Sequence, residues 1–289
     1  MERKRIPVGN SSQNRPCTIK ILMNSNSADN DSFTSSSPGR LQQTTLKQNE
    51  GEISAVGFVL PLVLILVSAM FAPSFETETD SYTLQRNNAK AFYYTLFIIG
   101  QVLVVSGVVA YFFRVYRSQF PLRVSPLSVL VGVVGCVLWV AIAKLGIEHE
   151  ILKAVGLEAW LPTRVGFNPF QIESTGQRYL FLTFRFALLA GLIPVIEELF
   201  LRGWLIRYVD NEDFWLPTLS GLTFRACAAA TLYGVLTHPG EIFAAIVWFS
   251  LVTWMMKRTG LFWDCVVAHA VTNLLLGIWV LYSSDWFLW

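Results

Sequence analysis

The stretch Ile193-Pro194-Val195-Ile196-Glu197-Glu198-Leu199-Phe200-Leu201-Arg202 places two adjacent carboxylates and an arginine inside a strongly apolar part of the chain. An ionised group at the centre of a bilayer costs on the order of a few kcal/mol. Such groups are therefore expected to pair with one another, to face water or to take part in chemistry. On a helix, Glu198 and Arg202 lie four residues apart on one face, whereas Glu197 points about 100° away from Glu198. Glu197 is thus the carboxylate without a partner in its own helix.

The composition around this stretch is that of a membrane protein. The 289 residues are 53% hydrophobic and only 15% charged, whereas soluble domains carry about 25% charged residues. The formal net charge of +2 is too small to indicate nucleic-acid binding. The four cysteines are far apart and show no CxxC spacing, so the sequence predicts neither a disulfide framework nor a zinc knuckle.

The chain divides by composition into two parts. Residues 1–50 are rich in Ser, Asn, Gln and Thr without apolar periodicity, which predicts a disordered polar tail. Residues 51–289 are predicted to form an integral membrane helical domain, because long apolar runs recur along them: about 53–72, 91–113, 127–147, 179–208, 218–237, 242–256 and 265–282. The predicted fold class is all-α, a polytopic transmembrane bundle of about seven to eight helices. The number depends on whether Pro194 kinks one helix or begins a new one.

Lysines and arginines near the ends of apolar runs indicate the cytoplasmic side. The N-terminal tail contains Arg3-Lys4-Arg5, and the turn after the second run contains Arg114, Arg117 and Arg123, so both are expected to be cytoplasmic. The acidic link that contains Glu76, Glu78 and Asp80 then lies on the other side. The topology after the third run stays open at this point, because it depends on Pro194.

Further polar residues interrupt the later apolar runs. His238 ends one run and precedes Pro239-Gly240, which stops the helix, while His269 and Asn273 share one face of the last run. Each has a structural explanation on its own, as a helix cap or as an interhelical hydrogen bond. Together with the two glutamates and the arginine, however, they are satisfied at lower cost in one cluster than in separate burials. The sequence therefore predicts one polar cluster assembled from three helices.

This set of side chains suits hydrolysis. A carboxylate near a histidine can take a proton from water, and a protonated histidine and an amide NH2 can donate to an oxyanion. The sequence contains neither a GxSxG nucleophile elbow nor an HExxH motif. A zinc site formed by Glu and two His is chemically feasible. It ranks below a metal-free site, because the sequence shows no third compact pair of ligands.

At these residues the chain resembles the CPBP family, the CAAX prenyl endopeptidases and bacteriocin-processing membrane proteases. The family carries the motifs EExxxR, FxxxH and HxxxN on successive helices. The first is Glu197–Arg202 here, and the third is His269–Asn273. The second ends at His238, but Gly234 stands where the family has phenylalanine, and the nearest aromatic residue is Tyr233. The end of the chain also resembles the CAAX-protease-related branch associated with bacterial exosortase (PEP-CTERM) sorting systems.

The resemblance covers about residues 190–280 and implies an intramembrane glutamic endopeptidase without a cofactor, in the cytoplasmic membrane of a bacterium. Its substrate would be a protein or peptide at the membrane, lipidated or linked to exosortase sorting, and not a nucleic acid. The resemblance also assigns roles to the cluster. Glu197 would activate water with the help of His238, and His269 and Asn273 would hold the oxyanion. Glu198 and Arg202 would brace the site.

Three other functions fit part of the sequence. A non-catalytic scaffold or partner in a protein sorting or export system would be expected to lose some of the polar groups, yet all of them are present. A transporter or channel could use the cluster as an ion path, but no inverted repeat is evident. A metalloprotease would be separated from a metal-free enzyme by its loss of activity in a strong chelator.

Overall fold

The structure is a computed structural model that describes residues 55–73, 81–156 and 166–288, and only the backbone in residues 81–88. The predicted tail of residues 1–50 and the acidic link before the second helix lie outside the described residues. The described residues form helices and no strands, and five of their helices are long and apolar enough to cross a membrane. The predicted all-α, polytopic transmembrane fold is confirmed.

The helices of the described residues follow one another with short connections. Their bounds are α1 (Ala55–Ala69), α2 (Ser81–Gln119), α3 (Pro126–Leu145), α4 (Ile147–Ala154), α5 (Thr175–Phe186), α6 (Ile193–Glu198), α7 (Ile206–Asp210), α8 (Phe224–Thr237), α9 (Ile242–Thr259) and α10 (Phe262–Ser283). α8 is shorter than the apolar run of residues 218–237 that predicted it. α8 begins at Phe224 because Leu219–Gly221 forms a 3-10 turn, so α8 falls short of the roughly 20 residues that cross a bilayer.

The run around Pro194 is one continuous helical segment, Thr175–Asp210. Two wider π-helical stretches, Ala187–Leu192 and Leu199–Leu205, flank α6 within it. Pro194 lies in the first turn of α6, where a missing N–H is tolerated. The segment therefore accommodates the proline by widening the preceding turn rather than by ending the helix.

Interhelical contacts fix the directions of the helices. α1 and α2 are antiparallel, because Tyr116 donates to the Gly57 carbonyl at 2.5 Å while Gln101 donates to Ser68 at 2.8 Å. α3 and α10 are parallel. Ser125, just before α3, donates to Asp264 in the first turn of α10. Lys144, in the last turn of α3, pairs at 2.9 Å with Asp285, which follows α10.

The connections therefore gather at two ends of the bundle. We call one the basic end; it comprises residues 119–126, 210–224 and 259–262. We call the other the acidic end; it comprises the described residues 146–154, 238–241 and 284–288, with Glu148, Glu150, Glu241 and Asp285. The basic end is named for the arginines and lysines in or beside its connections, although residues 210–224 themselves contain three acidic side chains; these cations are Arg114, Arg117, Arg123, Arg225, Lys257 and Arg258.

An aromatic cluster closes the basic end. The ring of Phe58 meets those of Tyr116, Phe120 and Phe214 edge to face at 5.4, 6.2 and 5.6 Å between centroids. Phe120 also stacks on Phe262 at 4.1 Å. All five rings are buried, and such contacts add to the stability that burial itself provides.

Candidate active site

Glu198 and Arg202 form a buried ion pair across one helical turn. Their side chains are 1% and 0% exposed, and Nη1 of Arg202 donates to Oε2 of Glu198. The other two nitrogens of Arg202 make no hydrogen bond within the described part of the chain. The guanidinium lies 5.9 Å from the ring centre of Phe249. The pair predicted from the spacing is present, and it has almost no contact with solvent.

His269 lies between the two carboxylates. Its Nδ1 is 3.0 Å from Oε1 of Glu198, and its Nε2 is 3.8 Å from Oε2 of Glu197. A carboxylate only accepts, so Nδ1 carries the proton of the shorter contact. The edge of Trp248 packs against the same imidazole at 4.8 Å between ring centres. Glu198 thereby sets the orientation of the ring and directs Nε2 towards Glu197.

Glu197 has a different environment from its neighbour. Its side chain is 20% exposed and lines a cavity of about 380 Å³. His238, His269 and Asn273 line the same cavity, whereas Glu198 and Arg202 are not among the residues at its wall. Four of the six predicted site residues thus line one cavity, and the other two, Glu198 and Arg202, are buried outside its wall.

His238 is placed by the end of α8. The helix stops at Thr237, immediately before His238-Pro239-Gly240, as the sequence predicts. Nδ1 of His238 lies 3.1 Å from the Gly234 carbonyl, which can only accept, so this nitrogen is the donor. Nε2 then carries the lone pair, and the ring packs between Trp139 and Phe249 at 5.1 and 5.8 Å.

The aromatic ring that the FxxxH motif lacks is supplied by another helix. A Cβ atom on Gly234 would lie 2.2 Å from Cδ2 of Phe249, so the ring of Phe249 fills the space next to this glycine. The same ring contacts His238. A larger residue at position 234 would therefore clash with the ring of Phe249.

Asn273 is held by a carbonyl that the π-helical stretch before α6 leaves available. The N–H of Ile193 donates to Leu188, five residues back, and the next residue, Pro194, has no N–H. Neither residue therefore donates to the carbonyl of Leu189. Nδ2 of Asn273 donates to that oxygen at 3.0 Å. The amide has a second N–H, which remains available for another acceptor.

Several residues of the cavity were not singled out as site residues by the sequence. Glu241 and Arg185 line it; Arg185 stands out in the sequence as an arginine within an apolar run, and Glu241 follows the predicted Pro-Gly break. Trp248 also lines it, and its indole N–H donates to Thr272 at 3.0 Å. Periodicity does not distinguish such a tryptophan from an ordinary core residue.

The feasible alternative of a zinc site has a geometric test. Within the described ranges, no group of three or more His, Cys, Asp and Glu side chains is placed to hold a metal ion. Nδ1 of His269 is bound to Glu198, and His238 donates through Nδ1 to a carbonyl. The polar groups are arranged as hydrogen-bonding partners around a cavity.

Comparison with known proteins adds one finding. Residues 179–275 match the family described as "Type II CAAX prenyl endopeptidase Rce1-like". The match covers all three motif positions, which confirms the resemblance and supports a protease or hydrolase. No curated protein and no solved structure matches the chain, and the relation to the exosortase-associated branch stays a prediction.

Proposed function

Residues 179–275 match the Rce1-like family of type II CAAX prenyl endopeptidases, and on that basis we propose that the chain is an intramembrane glutamic endopeptidase. The observation that carries the proposal is the contrast between two adjacent carboxylates. Glu198 is buried against Arg202, whereas Glu197 faces a cavity with a histidine nitrogen 3.8 Å away. A reacting water needs a carboxylate that it can reach, and of these two glutamates Glu197 is the one on the cavity wall.

The proposed reaction begins with the transfer of a proton from water to the Glu197 carboxylate. The oxygen of that water attacks the carbonyl carbon of the peptide bond, and the carbonyl electrons move onto oxygen. Nε2 of His238 carries a lone pair and lines the same cavity, so it assists by accepting a hydrogen bond from the water. Glu197 then passes its proton to the nitrogen of the departing amine, which completes the cleavage.

The developing oxyanion needs donors in a place that excludes bulk water. The second amide N–H of Asn273 is one, since the first is used by Leu189. Nε2 of a protonated His269 is the other.

The cavity also limits what the substrate can be. Much of its lining is apolar, including Ile65, Phe97, Leu188, Leu276 and Trp248, so it suits a peptide segment with apolar side chains at the membrane. The proposed substrate is therefore a peptide bond of a membrane-associated protein or peptide. Lipidated and exosortase-linked substrates are narrower proposals within this class, as is residence in a bacterial cytoplasmic membrane.

The proposed reaction uses only side chains of the protein. We expect cleavage by the purified enzyme to continue in a strong chelator after dialysis. Loss of cleavage in the chelator, with recovery on addition of Zn²⁺, would replace the glutamic mechanism with a metal-dependent one.

The central test is Glu197→Gln, which keeps the shape of the side chain and removes its basicity. Purified protein in detergent would be incubated with a peptide library, and products would be identified by mass spectrometry. We expect cleavage to fall by about 100- to 10,000-fold, the usual contribution of a general base, with thermal stability unchanged. Glu150→Gln is the matched control, because Glu150 is exposed at the acidic end. Wild-type cleavage by Glu197→Gln would overturn the assignment.

A further inference from the structure

The cavity extends towards only one end of the bundle. Ala72, His238, Glu241 and Leu288 line it. Ala72 follows α1, His238 and Glu241 lie between α8 and α9, and Leu288 lies in the turn after α10. All four therefore lie at the end of the bundle opposite the basic end. Of the described residues that line the cavity, none belongs to the connections of the basic end.

The basic end is closed to a peptide by the packing already described. The aromatic cluster fills the space between α1, α2, α10 and residue 214. Gly203 packs against Phe58 of this cluster so closely that a Cβ atom at position 203 would lie 2.7 Å from the Phe58 ring. Interiors packed at this density have no room for an extended chain, so a substrate cannot reach Glu197 through the basic end.

The distribution of lysine and arginine assigns the two ends to the two sides of the membrane. In the described chain, the basic end and the helix ends beside it carry Arg114, Arg117, Arg123, Arg207, Arg225, Lys257 and Arg258. Fewer such residues lie at or beside the acidic end, namely Lys90, Lys144, Lys153 and Arg178, and neither the α8–α9 connection nor the described turn after α10 contains a lysine or an arginine. Connections rich in lysine and arginine stay in the cytoplasm.

From these observations we infer that the catalytic cavity opens to the non-cytoplasmic face of the membrane. The inference about the substrate rests on the proposed function: the enzyme cleaves a segment that a membrane-anchored or exported protein presents on that face. A segment that remains in the cytoplasm has no path to Glu197. The position of the opening itself does not depend on whether the site is catalytic.

Cysteine labelling tests the opening without any substrate. The four native cysteines would be replaced by alanine in the full-length chain, and single cysteines introduced as Ala72→Cys at the opening, Leu276→Cys within the cavity and Ser118→Cys beside the basic end. A membrane-impermeant maleimide would be added to right-side-out and to inverted vesicles. Ser118 is exposed, so Ser118→Cys is the matched control for the other face.

We expect Ala72→Cys and Leu276→Cys to react at least about tenfold faster in right-side-out vesicles, and Ser118→Cys to react only in inverted ones. Faster reaction of Leu276→Cys in inverted vesicles would overturn the inference, as would reversal of the whole pattern. The peptide library would then be added to both kinds of vesicle. If the cysteines label as expected but the peptides are cleaved from neither side, the position of the opening is supported and the proposed protease activity is contradicted.

Discussion

Two adjacent glutamates point in different directions from one helical turn and have contrasting surroundings. On the buried side, Glu198 is 1% exposed and is bound by both Arg202 and His269. On the cavity side, Glu197 is 20% exposed, and its Oε2 lies 3.8 Å from Nε2 of His269. The difference shows that a residue's partners, rather than its type, decide whether a carboxylate stabilises a fold or is available to react.

The comparison predicts that changes on the two sides can be separated by measurement. A change on the buried side should lower stability together with activity. A change on the cavity side should lower activity much more than stability. His269 lies close to both carboxylates, so it links the buried side directly to the cavity.

The largest effect is expected from Arg202→Ala. The substitution leaves Glu198 buried without its cation, and removal of one partner of a buried ion pair typically costs about 3–5 kcal/mol. We expect the protein to unfold at a clearly lower temperature in detergent and to lose cleavage. Arg225→Ala is the control, because Arg225 is exposed. An unchanged unfolding temperature for Arg202→Ala would show that the pair is not a brace.

Asn273→Ala should separate the two sides most clearly. It removes a proposed oxyanion donor, whose loss typically costs about 100- to 1000-fold in rate. It also leaves the Leu189 carbonyl without the donor observed at 3.0 Å, so stability should fall by about 1–3 kcal/mol. We expect kcat to fall while KM changes little. Equal proportional losses of activity and folded protein would assign Asn273 a purely structural role.

Gly234→Ala tests the wall that supports His238. The new methyl group would lie 2.2 Å from a buried ring atom of Phe249, and such overpacking typically costs about 1–3 kcal/mol. Because Phe249 also contacts His238 and the Arg202 guanidinium, activity should fall as well. Gly100→Ala is the control, since a methyl group there meets nothing within 4 Å. Equal unfolding temperatures for the two variants would argue against tight packing at Gly234.

The smallest effect is expected at the opening of the cavity. The hydrogen bond from Lys144 holds the pKa of Asp285 below its ordinary value, with further donors at Ser283 and Trp279. A lowered carboxyl pKa stabilises the folded form above the ordinary value of about 4 and loses that contribution as pH falls through the lowered value. Leu288→Cys in the cysteine-free chain should therefore react faster with maleimide-type reagents below about pH 4 than at neutral pH, after correction for thiol ionisation. Asp285→Asn should remove this pH dependence; if it does not, the pair does not hold the turn.

Much of the site was predictable because its chemistry is local. A spacing of four residues places Glu198 with Arg202 and His269 with Asn273, and the helix geometry separates Glu197 from Glu198. The apolar runs predicted the membrane fold for the same reason, since hydropathy and length are properties of a segment. The roles of the six residues remain predictions, although the structure brings four of them to one cavity.

What could not be predicted depends on contacts between distant segments. No local pattern relates Phe249 to Gly234, or Leu189 to Asn273, because each pair is formed only when helices pack. The position of Glu241 on the cavity wall has the same origin. The effect of Pro194 was open for a different reason: a proline is compatible with a kink, a helix start or a widened turn, and neighbouring helices decide among them.

The absence of a backbone N–H at Pro194 affects how two helices of the bundle are held relative to each other. The oxygen left over on Leu189 is a fixed point on one helix, and the amide that occupies it stands 84 residues later on another. If α10 slid along its neighbour by a single turn, about 5.4 Å, both groups would be stranded in a region where water is scarce. The absent N–H of Pro194 thus supports a hydrogen bond that, together with the contact between His269 and Glu198, opposes sliding of these two helices along each other.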